Sequence, residues 1–140
     1  MKIRPQAEFE TSLPYDAVAG GEENDFDDID PGGRNIAEAV GEMLRPLGYD
    51  VSDPIHEDVH GWRLDISLGK RKFWLLINRL IGDRPYLMAD ESRNFWHPPH
   101  FEDFLTQLNT ALSSDPRFSD VLWYKDWKDR TRTSTPVIRR

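Results

Sequence analysis

Residues 62–68 read Trp-Arg-Leu-Asp-Ile-Ser-Leu, so Trp62, Leu64, Ile66 and Leu68 alternate with Arg63, Asp65 and Ser67. A period of two belongs to a strand, whose successive side chains point to opposite faces. One face of this strand is therefore buried and the other carries charge. Gly69-Lys70-Arg71 supplies a turn, with the basic run at 70–72 keeping it soluble, and KFWLLINRL (72–80) follows as a nearly continuous apolar strand. After Gly82-Asp83-Arg84-Pro85, the run YLMA gives a third strand, and the three make an antiparallel meander over residues 61–90. Its far face sets Arg63, Asp65 and Ser67 beside Trp74 and Leu76. Exposed aromatics rimmed by charge have the character of a binding surface.

Helices are expected on either side of the meander. In RNIAEAVGEMLRPLGY (34–49), Ile36, Val40, Met43, Leu44 and Leu47 recur at helical spacing, with Pro46 in the last turn and Gly48 at the stop. Pro98-Pro99 opens a second helix, in which Phe101, Phe104, Leu105, Leu108, Ala111 and Leu112 form an apolar stripe that Ser113 to Pro116 end. Trp96 and Phe101 suit a hydrophobic staple across that entry. Tyr49 and Val51 add a short strand before the meander, and SDVLWY (119–124) adds one after the second helix.

This order predicts an α+β fold: an antiparallel sheet of three to five strands with two amphipathic helices, at 33–47 and 99–113, packed on one face. Trp62, Leu64, Phe104 and Leu108 are expected in one core. A length of 140 residues suits one domain. The reading is a single globular unit over 1–127, with a mobile acidic loop at 11–32 and a flexible basic tail at 128–140.

Charge narrows the choice of partners. The chain carries a net −7, but residues 125–140 hold six Lys/Arg against two Asp, which leaves the first 124 residues at −11. Residues 5–33 contain nine acidic side chains and no basic one, including Glu22, Glu23, Asp25, Asp27 and Asp28. Such a block repels phosphate backbones and attracts cationic surfaces, which disfavours nucleic acid as the main partner. No segment reaches the roughly 20 apolar residues of a membrane span, and the N-terminus has no apolar run of signal type, so a soluble cytoplasmic protein is expected. The lack of cysteine removes disulfides and thiol chemistry and suits a reducing compartment.

Motifs for catalysis are sparse. HEDVH (56–60) matches the pattern in which two histidines bind zinc and the glutamate acts as base. That chemistry requires His56 and His60 on successive turns of a helix, because along a strand the same spacing separates them by roughly 13 Å. Only about two turns are available before the strand at 62, and no third ligand is marked among Asp90, Glu91 and His97. A surface turn or a short connecting helix is the expected structure. In WHPPH (96–100) the prolines account for the segment as a helix start. An EF-hand loop begun at Asp28 would need its bidentate glutamate at residue 39, which is alanine. Phosphate-binding glycine loops and nucleophile elbows are absent.

The composition thus favours a non-enzymatic protein-binding module without cofactor or metal. In size, acidity and lack of catalytic motif it is similar in type to bacterial immunity and inhibitor proteins that occlude a more basic partner such as a toxin. Glu22, Glu23, Asp25, Asp27, Asp28, Trp74 and Trp96 are the candidate partner-binding residues. A metal-dependent hydrolase using His56, Glu57 and His60 and a peptide-binding adaptor or chaperone are the alternatives, with the oligomeric state open. If the acidic block steers association, neutralising its five named carboxylates should slow the on-rate and flatten its salt dependence. Stopped-flow association with a basic partner checks this, and an on-rate indifferent to both salt and substitution would remove the steering role.

Overall fold

The computed structural model describes residues 2–16, 32–80, 83–91 and 98–138. In chain order the elements are β1 (Lys2–Ile3), β2 (Gln6–Thr11), α1 (Arg34–Leu44), β3 (Asp50–Val51), β4 (Ile55–His56), β5 (Trp62–Leu68), β6 (Arg71–Asn78), β7 (Tyr86–Glu91), α2 (Pro98–Ser114), β8 (Phe118–Tyr124) and β9 (Val137–Ile138). Short 3-10 turns lie at Arg45–Leu47 and Asp58–His60. The architecture is α+β, with an antiparallel sheet of seven strands in the order β3-β5-β6-β7-β2-β8 and β4 also paired to β5. β1 and β9 form a separate antiparallel pair.

The strand count exceeds the three to five expected, for two physical reasons. β2 inserts between β7 and β8, yet its sequence, QAEFET, offers only Ala7 and Phe9 to the core, too few to mark a period. Both are fully buried, and pairing across long sequence separations makes the strand. β4 is two residues long and exists only because β5 lies beside it.

The alternation at 62–68 survives as register. Trp62, Leu64 and Ile66 stand opposite Ile77, Leu75 and Phe73, and all six are buried. The same face continues through Leu87 and Ala89 of β7, Ala7 and Phe9 of β2, and Trp123 of β8. Both helices cover it. α1 contributes Ile36, Ala37, Val40 and Leu44, and α2 contributes Phe101, Phe104, Leu105, Leu108 and Leu112. Phe73 stacks on Phe104 at a centroid distance of 4.5 Å, and Tyr49 meets the same ring edge-on at 5.5 Å. Trp123 is fully buried, and its indole N–H donates to Asn109 Oδ1 at 2.8 Å, which satisfies the one polar atom of its ring.

Helix boundaries shift modestly from the expectation. The first α-helix ends at Leu44 rather than at 47, because Pro46 has no N–H to donate and the last turn tightens to 3-10 over Arg45–Leu47. The second runs Pro98–Ser114.

Residues 128–138, which lack a core-forming period, are tied to the rest of the fold. Thr133 exchanges two backbone hydrogen bonds with Trp123, at 2.6 and 3.0 Å, and the Arg4 N–H donates to Pro136 O at 2.7 Å beside the β1-β9 pair. These contacts occupy the outer side of β8, while β3 and β4 occupy that of β5. Short or interrupted edges of this kind discourage strand addition by another chain. No helix among the described residues is long and apolar enough to cross a membrane.

Because Leu108 is fully buried on the inner face of α2, Leu108→Ala should cost about 2–5 kcal/mol. Leu47→Ala, at a side chain 50% exposed, should cost under about 0.5 kcal/mol. Denaturant melts of the two variants check the packing, and equal costs would contradict it.

Candidate functional site

The helices leave one face of the sheet uncovered by either, and register places its side chains in rows. Arg63, Leu76, Met88, Gln6 and Tyr124 form one row across five strands. Asp65, Trp74 and Asp90 form the next. Leu76, Met88, Trp74 and Tyr86 are half-buried. Trp74, Leu76 and Met88 thus form an apolar strip over β6 and β7, bordered by carboxylates and guanidiniums.

At the β5-β6 end this strip dips into a hollow of about 410 Å³, lined by Glu57, His60, Arg63, Asp65, Trp74 and Leu76. Its wall is local in origin. After β4 the chain turns through Asp58–His60, with the His60 N–H donating to Glu57 O and the Glu57 N–H to Gly61 O, both at 2.9 Å. Gly61 then leads into β5 and lies close against β6. Its φ is +117°, and a Cβ there would lie 2.2 Å from Ile77 O, so only glycine permits this approach. This turn brings Glu57 and His60 to the hollow.

Arg63 organises the carboxylates. Its Nη1 donates to Glu57 Oε1, and its Nε donates to Asp65 Oδ1 at 3.0 Å. Side-chain exposures of 36%, 34% and 55% for Arg63, Glu57 and Asp65 keep this triad wet, so it orients groups more than it stabilises the fold. Ser52 Oγ accepts from the Asp65 N–H at 2.9 Å and anchors that strand position against the edge.

The β2-β8 end of the face differs. Arg132 lies over the Tyr124 ring with its Cζ 4.0 Å from the centroid, and its Nε donates to Glu8. Arg84 reaches Glu8 at 3.6 Å and Glu10 at 3.1 Å, and its Nη2 donates to Asp120 O at 2.8 Å. The carboxylates here are neutralised within the chain. Burial raises the pKa of Tyr124, with Glu8 adding to the shift and Arg132 opposing it. Burial, and then Asp83, raises that of Tyr86. Both phenols stay neutral near pH 7, so the field over this face comes from carboxylates, guanidiniums and lysines alone.

Of the residues singled out from the sequence, Trp74 lies on the open face and lines the hollow at its β5-β6 end. Glu22, Glu23, Asp25, Asp27, Asp28 and Trp96 lie outside the described residues. Leu76, Arg63 and Asp65 share Trp74's face, as the alternation implied, whereas the arrival of Glu57 and His60 depends on β4 and the turn that ends with Gly61 and has no local signal. HEDVH divides between a strand and a turn: His56 belongs to β4, with its ring 4.9 Å from that of Trp62, and His60 ends the 3-10 turn. The paired-turn arrangement of zinc hydrolases is therefore not formed. Among the described residues no group of three or more His, Asp or Glu side chains is placed to hold a metal ion. The chain matches no family model, no curated protein and no solved structure.

The close approach of Gly61 can be tested directly. Gly61→Ala should cost on the order of 3 kcal/mol, from a clash with Ile77 O added to a strained φ. Gly69→Ala, where φ is +63° and nothing lies within 4 Å of the added Cβ, should cost about 1 kcal/mol. Chemical denaturation of both variants makes the comparison, and a Gly61 cost no larger than that of Gly69 would contradict the close approach.

Proposed function

We propose that the protein is a non-enzymatic binding module that docks a more basic protein partner on the open face of its sheet, in the manner of an immunity or inhibitor protein that occludes a toxin. The observation that carries this reading is the apolar strip from Trp74 through Leu76 to Met88, half-buried and bordered by Asp65, Asp90 and the Glu57-Arg63 pair. Strong interfaces combine an aromatic anchor at a concave centre with a polar rim, and this face has both. Its blunted edges favour docking by side chains over β-strand addition.

Charge supports the same partner chemistry. The acidic block at 5–33 and the net −7 give long-range attraction for a basic surface. We place this activity in the cytoplasm, which a chain without cysteine suits. Against the competing hydrolase stands the placing of the HEDVH histidines, His56 packing on Trp62 while His60 faces the hollow.

Affinity capture from the native host, followed by titration of the recovered protein against variants, tests the proposal. Trp74→Ala should weaken binding by at least about 30-fold, as expected of a central anchor. Trp127→Ala, at a side chain 79% exposed and away from this strip, should change it less than about threefold. A captured partner that binds the Trp74 and Leu76 variants as tightly as the wild type would overturn the docking face.

A further inference from the structure

We propose that the hollow beside Trp74 receives a single arginine side chain of the protein partner, its guanidinium stacked on the indole and bonded to the surrounding carboxylates. This inference rests on the docking face proposed above and assigns that face its central contact.

The chain itself supplies the template. At the β2-β8 end, an aromatic ring, an arginine over it and a carboxylate bonded to that arginine are all present, in Tyr124, Arg132 and Glu8. At the β5-β6 end, the ring and the carboxylates are present, with no arginine over the ring among the described residues. Asp65 and Asp90 stand on either side of Trp74 across the neighbouring strands, and Glu57 closes the hollow from the 3-10 turn. Among the described residues no cation lies over the Trp74 ring.

Arg63 does not fill that place. It stands opposite Leu76, two pairs removed from Trp74, and its Nε and Nη1 are committed to Asp65 Oδ1 and Glu57 Oε1. Those bonds hold both carboxylates toward the hollow, while Glu57 Oε2 and Asp65 Oδ2 accept no hydrogen bond among the described residues. Two carboxylates of the lining, Glu57 and Asp65, meet the one guanidinium there, that of Arg63, and Asp90 stands beside Trp74 on β7, so a residual negative charge is left for an incoming cation.

The shape selects arginine among cations. The planar guanidinium can lie flat on an indole and still present N–H groups at its edge to carboxylates, which a lysine ammonium does less well. Leu76 and the Trp74 ring give the methylene stem an apolar surface. A volume of about 410 Å³ falls in the lower part of the roughly 300–1,000 Å³ range of ligand clefts. That accommodates one long side chain and some water.

The test uses the full chain, labelled with nitrogen-15, titrated with capped tripeptides Gly-X-Gly in which X is arginine, lysine, citrulline, leucine or glutamate. The arginine peptide should give saturable shifts centred on the Trp74 indole N–H and the amides of Arg63 and Asp65. It should bind at least about tenfold more tightly than its neutral citrulline isostere. Glu57→Gln and Asp65→Asn should each weaken it about threefold or more while leaving the citrulline peptide unchanged, and Trp74→Phe should retain part of the binding that Trp74→Ala loses. A leucine or lysine peptide that matches the arginine peptide, a preference for glutamate through Arg63, or shifts absent from the hollow would each overturn the inference. The ranking on wild-type protein decides the matter even if a variant fails to fold. If a captured partner depends on Trp74 but the arginine peptide does not bind, the docking face stands and its arginine fails. If the peptide binds but no partner depends on Trp74, the docking face fails.

Discussion

A slip of one residue between β5 and β6 would exchange the two faces of the sheet. The seven pairs from Trp62↔Ile77 to Leu68↔Arg71 set Leu64 on Leu75 and Ile66 on Phe73 beneath the helices, and set Arg63 on Leu76 and Asp65 on Trp74 on the other side. In the slipped register Arg63 and Asp65 would enter a core in which Leu64, Leu75 and Ile77 are fully buried, at a cost of several kcal/mol per unpaired charge. Burial on one face therefore determines the geometry on the other. The Asp65-Trp74 pairing that defines the hollow is enforced by side chains that never touch it.

The open face divides into two parts that differ in how their charges are answered. On the β2-β8 side, Glu8 lies between Arg84 and Arg132, and the latter belongs to the segment that Thr133 pins to Trp123. On the β5-β6 side, Arg63 alone meets Glu57 and Asp65. Net charge says nothing of this division. A chain at −7 can present a locally neutral surface, and it is the local arrangement that an interface reads at contact.

What the sequence made legible follows from how far each signal reaches. The 62–68 alternation and the helical stripe Phe101 to Leu112 are local periodicities, and both elements, their buried faces and the company of Trp74 with Arg63, Asp65 and Leu76 could be read from them. The pairing of β2 could not, since Ala7 and Phe9 alone carry its inward face and its partners, β7 and β8, both lie far along the chain. The same limit applied to the hollow. Glu57 and His60 reach it through a turn that ends with Gly61 close against Ile77 O of β6, a contact that a glycine between two apolar segments does not announce. HEDVH was misleading for a related reason: the motif specifies residue types, whereas zinc chemistry needs a helix, and the antiparallel pairing of His56 with Trp62 takes the segment into the sheet instead.

Under the proposed function, the acidic block and the hollow would govern different steps of one association. Long-range attraction acts before contact and is screened over about 8–10 Å at physiological salt, so carboxylates spread along residues 5–33 would influence encounter and little else. A cation held against Trp74 acts after water has been displaced from the hollow, where each hydrogen bond strengthens as the local dielectric falls, and it would influence dissociation. The two contributions are carried by separate parts of the chain. Partner choice would then depend on the fit of one side chain on the sheet, with overall acidity serving only to raise the number of basic surfaces that sample it.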